Sequence, residues 1–367
     1  MRFIELGWGL ALVVSLPALA GPAEAAAPWQ AEWKKTVAAA EKEGQLVLYI
    51  GSGPLTKQEP LDLFQKTYPK IHVTTVRGRG SQTGPRIFAE RRAGRYLVDL
   101  VVTGKDTAFA TLYMGKILDP IRHLLILPEV VDQSKWWQGR HKYADREGQY
   151  IFVFTGVPGG ATVSYNTKLV DPATLKSYWD LVHPRWKGKI VAFDPRIAGA
   201  GTTSIFFYYH SPLGPNFMRR LYGEMDVTLA RDYRQSTDWL AQGKFAICVP
   251  CTDVGRAKEV GLPIAEAGGF KEGEAISSKG GTLSLINRAP HLNAAKLFIN
   301  WYLSRKGQAL VQKVVNTMIV EDFDSMRIDI PKNDVIGDGK RLEGRKYQVV
   351  GFRDPKPVLK LLEEILR

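Results

Sequence analysis

Apolar positions fall into two rhythms along the chain, and the rhythms alternate. Trp29, Trp33, Val37 and Ala40 recur at helical spacing, and Gly44 stops that helix. Gln45 to Ile50 (QLVLYI) follows as the unbroken apolar run of a buried strand. Gly51-Ser52-Gly53-Pro54 then leads into a helix bearing Leu61, Phe64 and Tyr68, which Pro69 ends. His72 to Val76 reads as the next strand. Arg77-Gly78-Arg79-Gly80-Ser81 opens a helix carrying Ile87 and Ala89, and Val98 to Thr103 reads as a third strand. Strands alternating with helices predict an α/β domain built on a largely parallel sheet.

The pattern loosens from about Leu118 to Leu181, a stretch that holds Trp136-Trp137, Gly159-Gly160 and a strand from Ala161 to Tyr165. A second strand-and-helix set then begins. Ile190 to Phe193 is a strand, Ser236 to Gln242 is helical with Gly243 as its stop, and Phe245 to Val249 is another strand. Thr252-Asp253 opens a helix running through Glu259. Gly280 to Asn287 reads as a strand, and Ala294 to Leu303 and Gln308 to Val315 as amphipathic helices. Asp329 to Val349 is rich in Pro, Gly and Lys and is expected to wrap the surface. Pro357 to Leu366 closes the chain as a helix.

Composition adds little to this picture. The chain has 367 residues, 45% hydrophobic and 24% charged, which permits a full core and about two domains. The first residues change it more. Arg2 supplies a positive start, Gly7 to Leu19 is apolar, and Ala23-Glu24-Ala25 fits a small-x-small cleavage rule. Residues 1–25 therefore read as a secretory signal peptide, with cleavage allowed as late as 27. The apolar run is too short for a membrane anchor. Export to the periplasm of a Gram-negative bacterium is the expectation. The net charge of +13 is spread along the chain, without a basic tail or a nucleic-acid motif. It implies a solvated surface and a bias toward anionic small molecules, not nucleic acid.

Candidate chemistry gathers at strand ends. Ligands of α/β sheets bind beyond the carboxyl ends of strands, and three loops sit there: Gly51–Pro54, Arg77–Ser81 and Thr103–Lys105. Ser52, Ser81 and Thr103 are the natural hydrogen-bond donors, and Arg79 the natural charge. Ser81 could instead cap its helix and Ser52 could merely turn the chain. The stretch KIVAFDPRIAGAGTTSIFFYY, from Lys189 to Tyr209, repeats the design. After the strand comes the turn Asp194-Pro195-Arg196, then Gly199-Ala200-Gly201-Thr202-Thr203, then an apolar helix. Glycines let a ligand approach the backbone, and a helix start favours an anion. Arg196 would add a full charge; the alternative is an ordinary connection with Arg196 in a surface ion pair. The Trp136-Trp137 pair could stack on a ligand or pack in the core.

Catalytic signatures are missing from the sequence. The six histidines show no metal spacing, and no nucleophile elbow or phosphate-loop lysine appears. Neither an enzyme nor a bound cofactor is expected. Cys248-Val249-Pro250-Cys251 admits a structural disulfide, a pair of free thiols or a redox centre.

Several stretches together resemble one family, the periplasmic substrate-binding proteins of ABC importers, in the extracellular solute-binding group near the ferric-iron binders. They are LVLYIGSG (47–53), RGRGS (77–81), ERRAGRYLVDLVVTG (90–104), VSYNTKLV (163–170) and YWDLVHPRWKGKIVAFDPRIAGAGT (178–202), followed by DWLAQGKFAI (238–247) and AAKLFINWYLS (294–304). The resemblance implies a two-lobed periplasmic-binding-protein type II fold, with mixed, mostly parallel sheets, a hinge of crossing strands and ligand between the lobes. The first lobe is expected from 28–105 plus about 255–310, the second from about 106–254 plus about 311–367. It also implies a monomer whose closed form docks on ABC permease subunits in the membrane. Ser52, Arg79, Gly80, Ser81 and Thr103 would line the first lobe. Gly199, Ala200, Gly201 and Thr202 match the anion loop of the second, with Arg196 nearby. Thr252 and Asp253 fall where iron-binding members carry a metal-ligating tyrosine pair. That departure, Pro250-Cys251-Thr252-Asp253, argues for a small organic anion bearing phosphate, phosphonate or carboxylate. Ferric iron or an iron chelate, a ligand sensor for a membrane kinase, and a thiol-redox enzyme are the alternatives. Asp253 would cap its helix or meet a ligand's ammonium.

Overall fold

The computed structural model describes residues 27–78, 80–158, 163–197, 201–251, 254–277, 281–316, 324–331, 347–349 and 353–367. The signal-peptide assignment lies outside these residues, as do Arg79, Gly199, Ala200, Thr252 and Asp253 among the expected ligand groups.

Pro28 starts the first helix, Pro28–Glu43, at the position where its missing N–H is no loss. Gly44, at φ 67°, ends it by donating its N–H to the carbonyl of Ala40. The strands follow in chain order: β1 Gln45–Ile50, β2 His72–Arg77, β3 Leu100–Thr103, β4 Leu118–Asp119, β5 Lys142–Tyr143, β6 Ile151–Val153, β7 Thr155–Pro158 and β8 Val163–Asn166. The second half of the chain adds β9 Ile190–Phe193, β10 Thr228–Ala230, β11 Ile247–Cys248, β12 Ile264–Ala267, β13 Glu274–Ser277, β14 Thr282–Ile286, β15 Asp324–Ser325 and β16 Tyr347–Val349.

Among the described residues these strands make three sheets. The first has the order β2-β1-β3-β14-β6-β5, with β4 also on β14. The second has the order β10-β9-β11-β8-β12, and the third β15-β7-β13-β16. β1 runs parallel to β2 and β3, and β9 runs parallel to β10 and β11. Strands that arrive from the other half of the chain run the opposite way: β14 against β3 and β6, and β8 against β11 and β12. The parallel arrangement read from the sequence is thus that of the opening strands, and the full sheets are mixed.

The third sheet joins the other two. β7 carries the chain from the first sheet to the second, β13 carries it back, and the two pair antiparallel. β7 leaves from the edge where β1 and β3 end, because Thr282, the first residue of β14, lies opposite Thr103, the last of β3. In the second sheet Val163, the first residue of β8, pairs with Ala267, the last of β12, and Ser164 pairs with Cys248, the last of β11. Each sheet therefore presents the carboxyl ends of its parallel strands to the connecting strands, and so to the other lobe.

Packing sets the lobes apart differently from the sequence expectation. One core joins Leu46–Ile50 and Leu100–Val102 with Ala108, Trp136, Trp137, Ile151–Phe154, Leu283, Phe298 and Met326. A second joins Val163, Leu181, Ile190, Phe207, Phe217, Phe270 and the closing helix residues Val358, Leu361 and Leu362. Val191, Leu240 and Cys248 belong to a third cluster. Ile190 and Ala192 face one core and Val191 the other, the alternation of a strand covered on both sides. Hence 106–154, 311–316 and 324–331 belong with the first lobe, and 255–273 with the second. The expected boundary at 105 fails because β6 pairs with β14 and fills the first core. β6, three residues long, falls in the stretch where the sequence pattern loosens and is not read as a strand there.

Candidate functional site

The carboxyl edge of the first sheet is built from small residues in register. Ile50 pairs with Arg77 and with Val102, so Gly51, Gly78 and Thr103 form the next row. Gly51 N donates to Val102 O at 2.8 Å, and Gly78 N to Ile50 O at 3.1 Å. A Cβ on residue 51 would lie 2.7 Å from Oγ1 of Thr103 and 3.5 Å from the carbonyl of Gly78. Glycine is required there for that close approach. Ser52, just beyond, is half-buried. Thr103 is buried, and its carbonyl accepts a 2.6 Å hydrogen bond from Oγ1 of Thr282. The three expected strand-end loops do therefore converge on one edge.

Helix starts face the same edge. Gly80–Arg92 is helical and begins two residues after Gly78. Of Gly80 and Ser81 only this helical backbone is described. Unpaired N–H groups in the first turn give that end a positive potential. Lys105, absent from the sequence expectations as a ligand group, follows Thr103 by two residues and is buried. Desolvation draws its ammonium below the ordinary lysine range, while Asp106 acts the other way. A buried lysine on a sheet's ligand edge is a signal that composition hides, since most lysines are solvated.

The second sheet offers a different balance of charge. β9 ends at Phe193, and Asp194 is buried, its N–H held by Ala230 O at 2.8 Å. Arg196 folds back on it: Nε reaches Oδ1 at 2.9 Å, Nη2 reaches Oδ2 at 2.8 Å, and the Arg196 backbone N reaches Oδ1 at 3.0 Å. These bonds hold the Asp194 carboxyl below its ordinary range. Arg196 thus occupies the ion pair posed as its alternative role. Its side chain is 37% exposed, so the pair lies at the solvent boundary. Gly201–Tyr209 is helical and begins five residues later; Gly201 and Thr202 are described as helical backbone alone.

Other candidates resolve as structure. Cys248 and Cys251 form a disulfide with Cα atoms 5.7 Å apart, across a cis Val249–Pro250 bond. Trp136 and Trp137 are buried in the first core, Trp136 edge-on to Phe152 and His141. Tyr209 donates its hydroxyl to Asp354 O at 2.9 Å, which ties the second-lobe helix to the closing segment. Among the described residues no group of three or more His, Cys, Asp or Glu side chains is placed to hold a metal ion, and no helix is long and apolar enough to cross a membrane.

Two α/β lobes joined by crossing strands, with a glycine- and threonine-lined strand edge on the first, are the architecture of a two-lobed periplasmic binding protein. Comparison with known proteins makes this specific: residues 51–309 match the bacterial extracellular solute-binding protein family, and the chain belongs to it. An "Uncharacterized protein" of Haemophilus influenzae is 24% identical over 293 residues, 75% of this chain and 77% of that protein. A Trichodesmium protein, IdiA or FutA, in complex with iron and citrate shares the fold with a TM-score of 0.64 at 17% identity, covering 88% of this chain and 99% of that one. The periplasmic binding protein AfuA of Actinobacillus pleuropneumoniae, with fructose-6-phosphate bound, has a TM-score of 0.61 at 19% identity, with 88% and 99% covered.

Proposed function

We propose that this protein is a periplasmic receptor that captures a small organic anion, bearing phosphate, phosphonate or carboxylate, and delivers it to an ABC permease. The observation that carries the reading is the first-lobe edge. There the bare backbone of Gly51 and Gly78 comes up close beneath the Thr103 and Gln82 side chains, next to a helix start and a buried lysine. Each of these favours negative charge with oxygen acceptors. The structures bound to fructose-6-phosphate and to iron with citrate support a cleft that accepts oxyanions. Binding would favour the closed state through contacts with both lobes. The receptor itself performs no chemistry in this reading.

A melting-temperature screen tests it, with orthophosphate, fructose 6-phosphate, citrate and ferric citrate as probes. A bound probe at 100 times its dissociation constant stabilises by about 2.7 kcal/mol. A shift with ferric citrate and none with metal-free citrate would replace the organic anion by an iron chelate. No shift with any anion would remove the reading.

A further inference from the structure

We propose that the end of the first lobe farthest from the cleft is a docking surface for an anionic lipid bilayer, with Arg92, Arg95, Lys116 and Arg288 as its charges and Leu97, Met114 and Leu292 as its apolar contacts. It does not depend on what the cleft holds.

Strand direction brings these residues to one end. β3 and β14 meet the cleft at Thr103 and Thr282, which lie opposite each other. Whatever precedes β3 or follows β14 is therefore at the other end of the lobe, about 13 Å away at ~3.3 Å per residue. The helix Gly80–Arg92 ends there: Gly94 N donates to Arg91 O at 2.9 Å, and Arg95 N to Glu90 O at 2.8 Å. Beyond β14, Asn287 joins three segments. Its backbone N donates to Ile117 O at 3.0 Å, its side-chain amide to Lys116 O at 3.2 Å, and its carbonyl accepts from the Arg91 guanidinium. His291 N donates to the Asp99 carboxylate at 2.8 Å, which sets Leu292 beside the start of β3.

Positive charge is gathered here. The Arg91 guanidinium lies 4.3 Å from the centroid of the Tyr96 ring and that of Arg288 lies 5.2 Å from it, so two like charges stack on one aromatic ring. Arg288 Nη1 also donates to the Tyr96 hydroxyl at 2.5 Å. Burial, with Arg288 beside it, draws Arg91 below the ordinary arginine range, while Tyr96 and Asp119 act the other way. Arg92, Arg95, Lys116 and Arg288 are exposed. Among the described residues none of these five cations forms an ion pair. Arg288 and Lys116 stand in left-handed backbone, φ 54° and 56°, which glycine or asparagine adopts more readily. The fold gains nothing from clustering like charges, and an anionic surface offsets their repulsion.

The neighbours decide the kind of anion. Leu97 is 43%, Met114 59% and Leu292 45% exposed, interleaved with the cations. Apolar side chains among flexible cations fit a bilayer boundary, where headgroup phosphates meet the charges and the apolar tips dip below them. Arg92, Arg95 and Lys116 have no side-chain hydrogen bond among the described residues. A diffuse layer of charge needs none, whereas an acidic protein calls for donors held at fixed points. Docking would hold the receptor at the bilayer in which ABC permeases sit.

The experiment is co-sedimentation of the chain lacking residues 1–25, whose apolar run would itself bind lipid, with vesicles of phosphatidylcholine alone and of phosphatidylcholine mixed with phosphatidylglycerol. Wild type is expected to sediment with the mixed vesicles at low salt, to release as salt rises, and not to sediment with phosphatidylcholine. Arg92→Gln, Arg95→Gln and Arg288→Gln combined should weaken mixed-vesicle binding about tenfold or more. Lys168→Gln, Lys176→Gln and Lys187→Gln combined remove the same charge from exposed second-lobe positions and should weaken it little. Equal losses in the two triple variants, or a wild type that does not bind phosphatidylglycerol, overturns the proposal. Binding to native inner-membrane vesicles with none to lipid alone would make the partner an acidic protein. Release by orthophosphate beyond that by chloride at equal ionic strength would make it a free phosphate, and either result overturns the lipid assignment. Arg92→Gln with Arg95→Gln serves the same comparison should the triple variant fail to fold.

Discussion

Thr155 and Gly281 meet where both crossing strands join the first lobe. A Cβ on residue 281 would lie 1.7 Å from Oγ1 of Thr155 and 3.0 Å from its carbonyl oxygen. The carbonyl of Gly281 accepts from Phe154 N at 2.8 Å, so the two backbones cannot simply separate. Gly281→Ala is expected to destabilise by roughly 1–3 kcal/mol, the usual range for overpacking. Thr155→Ala combined with Gly281→Ala should recover part of that loss, because the closest clash is with the hydroxyl. Urea denaturation of the two variants checks both statements, and additive losses would disprove the coupling.

Asp194 and Arg196 lead to a prediction about affinity. Asp194 neutralises part of the charge that Arg196 brings to the second-lobe edge. Asp194→Asn should therefore tighten binding of whichever anionic probe the screen identifies. Arg196→Ala should weaken it by about 1.5 kcal/mol, the low end for a charged hydrogen bond. Titration calorimetry reads both. An Arg196→Ala protein with unchanged affinity would place the guanidinium outside the ligand's reach.

Arg327 fastens the end of the first lobe. It is 1% exposed, and its guanidinium reaches Asp329 at 2.6 and 3.1 Å and the carbonyl of Leu303 at 3.0 Å. Removing Arg327 leaves Asp329, 26% exposed, free to meet water, and strips the buried Leu303 carbonyl of its donor. Arg327→Met is expected to cost about 1–3 kcal/mol, measured by chemical denaturation. A loss below about 1 kcal/mol would mean that the Leu303 carbonyl, like Asp329, turns to water.

Lys142 gives the pH dependence. Its pKa is about 8 in the folded chain, below the ordinary lysine value of 10.5. The unfolded chain then binds more protons between those two values, so this group's contribution to stability rises with pH across that window. Below pH 8 the full penalty of a buried cation is present. The stability advantage of Lys142→Met should be largest at neutral pH and shrink as pH approaches 10.5. A difference constant across that range would show that burial does not perturb the group.

Much of the fold was legible because its signals are local. Gly44 as a helix stop, the apolar run of β1, and the Asp194-Pro195-Arg196 turn each depend on a few adjacent residues. The converging edge at Gly51, Gly78 and Thr103 was legible for the same reason: small residues follow strands there. What stayed hidden depends on partners far along the chain. β14 joins β3 across more than 170 positions, and nothing in either strand names the other. β7 (TGVP) and β13 (EAIS) lack the apolar run that marks β9 (IVAF), so the lobe boundary was drawn about fifty residues early. Lys105 and Lys142 read as surface lysines until packing buries them. The ion pair of Arg196 was foreseeable from the acid two positions before it.

The strand order also constrains how the molecule can come into being. β14 sits between β3 and β6, so the first sheet stays split until residue 286 is available, by which point the second sheet's last strand, β12, has already been made. The closing helix, Lys356–Ile365, then packs back on the second core. Neither lobe is a contiguous gene fragment, and a chain cut within 163–277 yields two pieces that each lack part of a sheet. Assembly is therefore a late event in synthesis, with nearly the whole polypeptide present before either half has its final core.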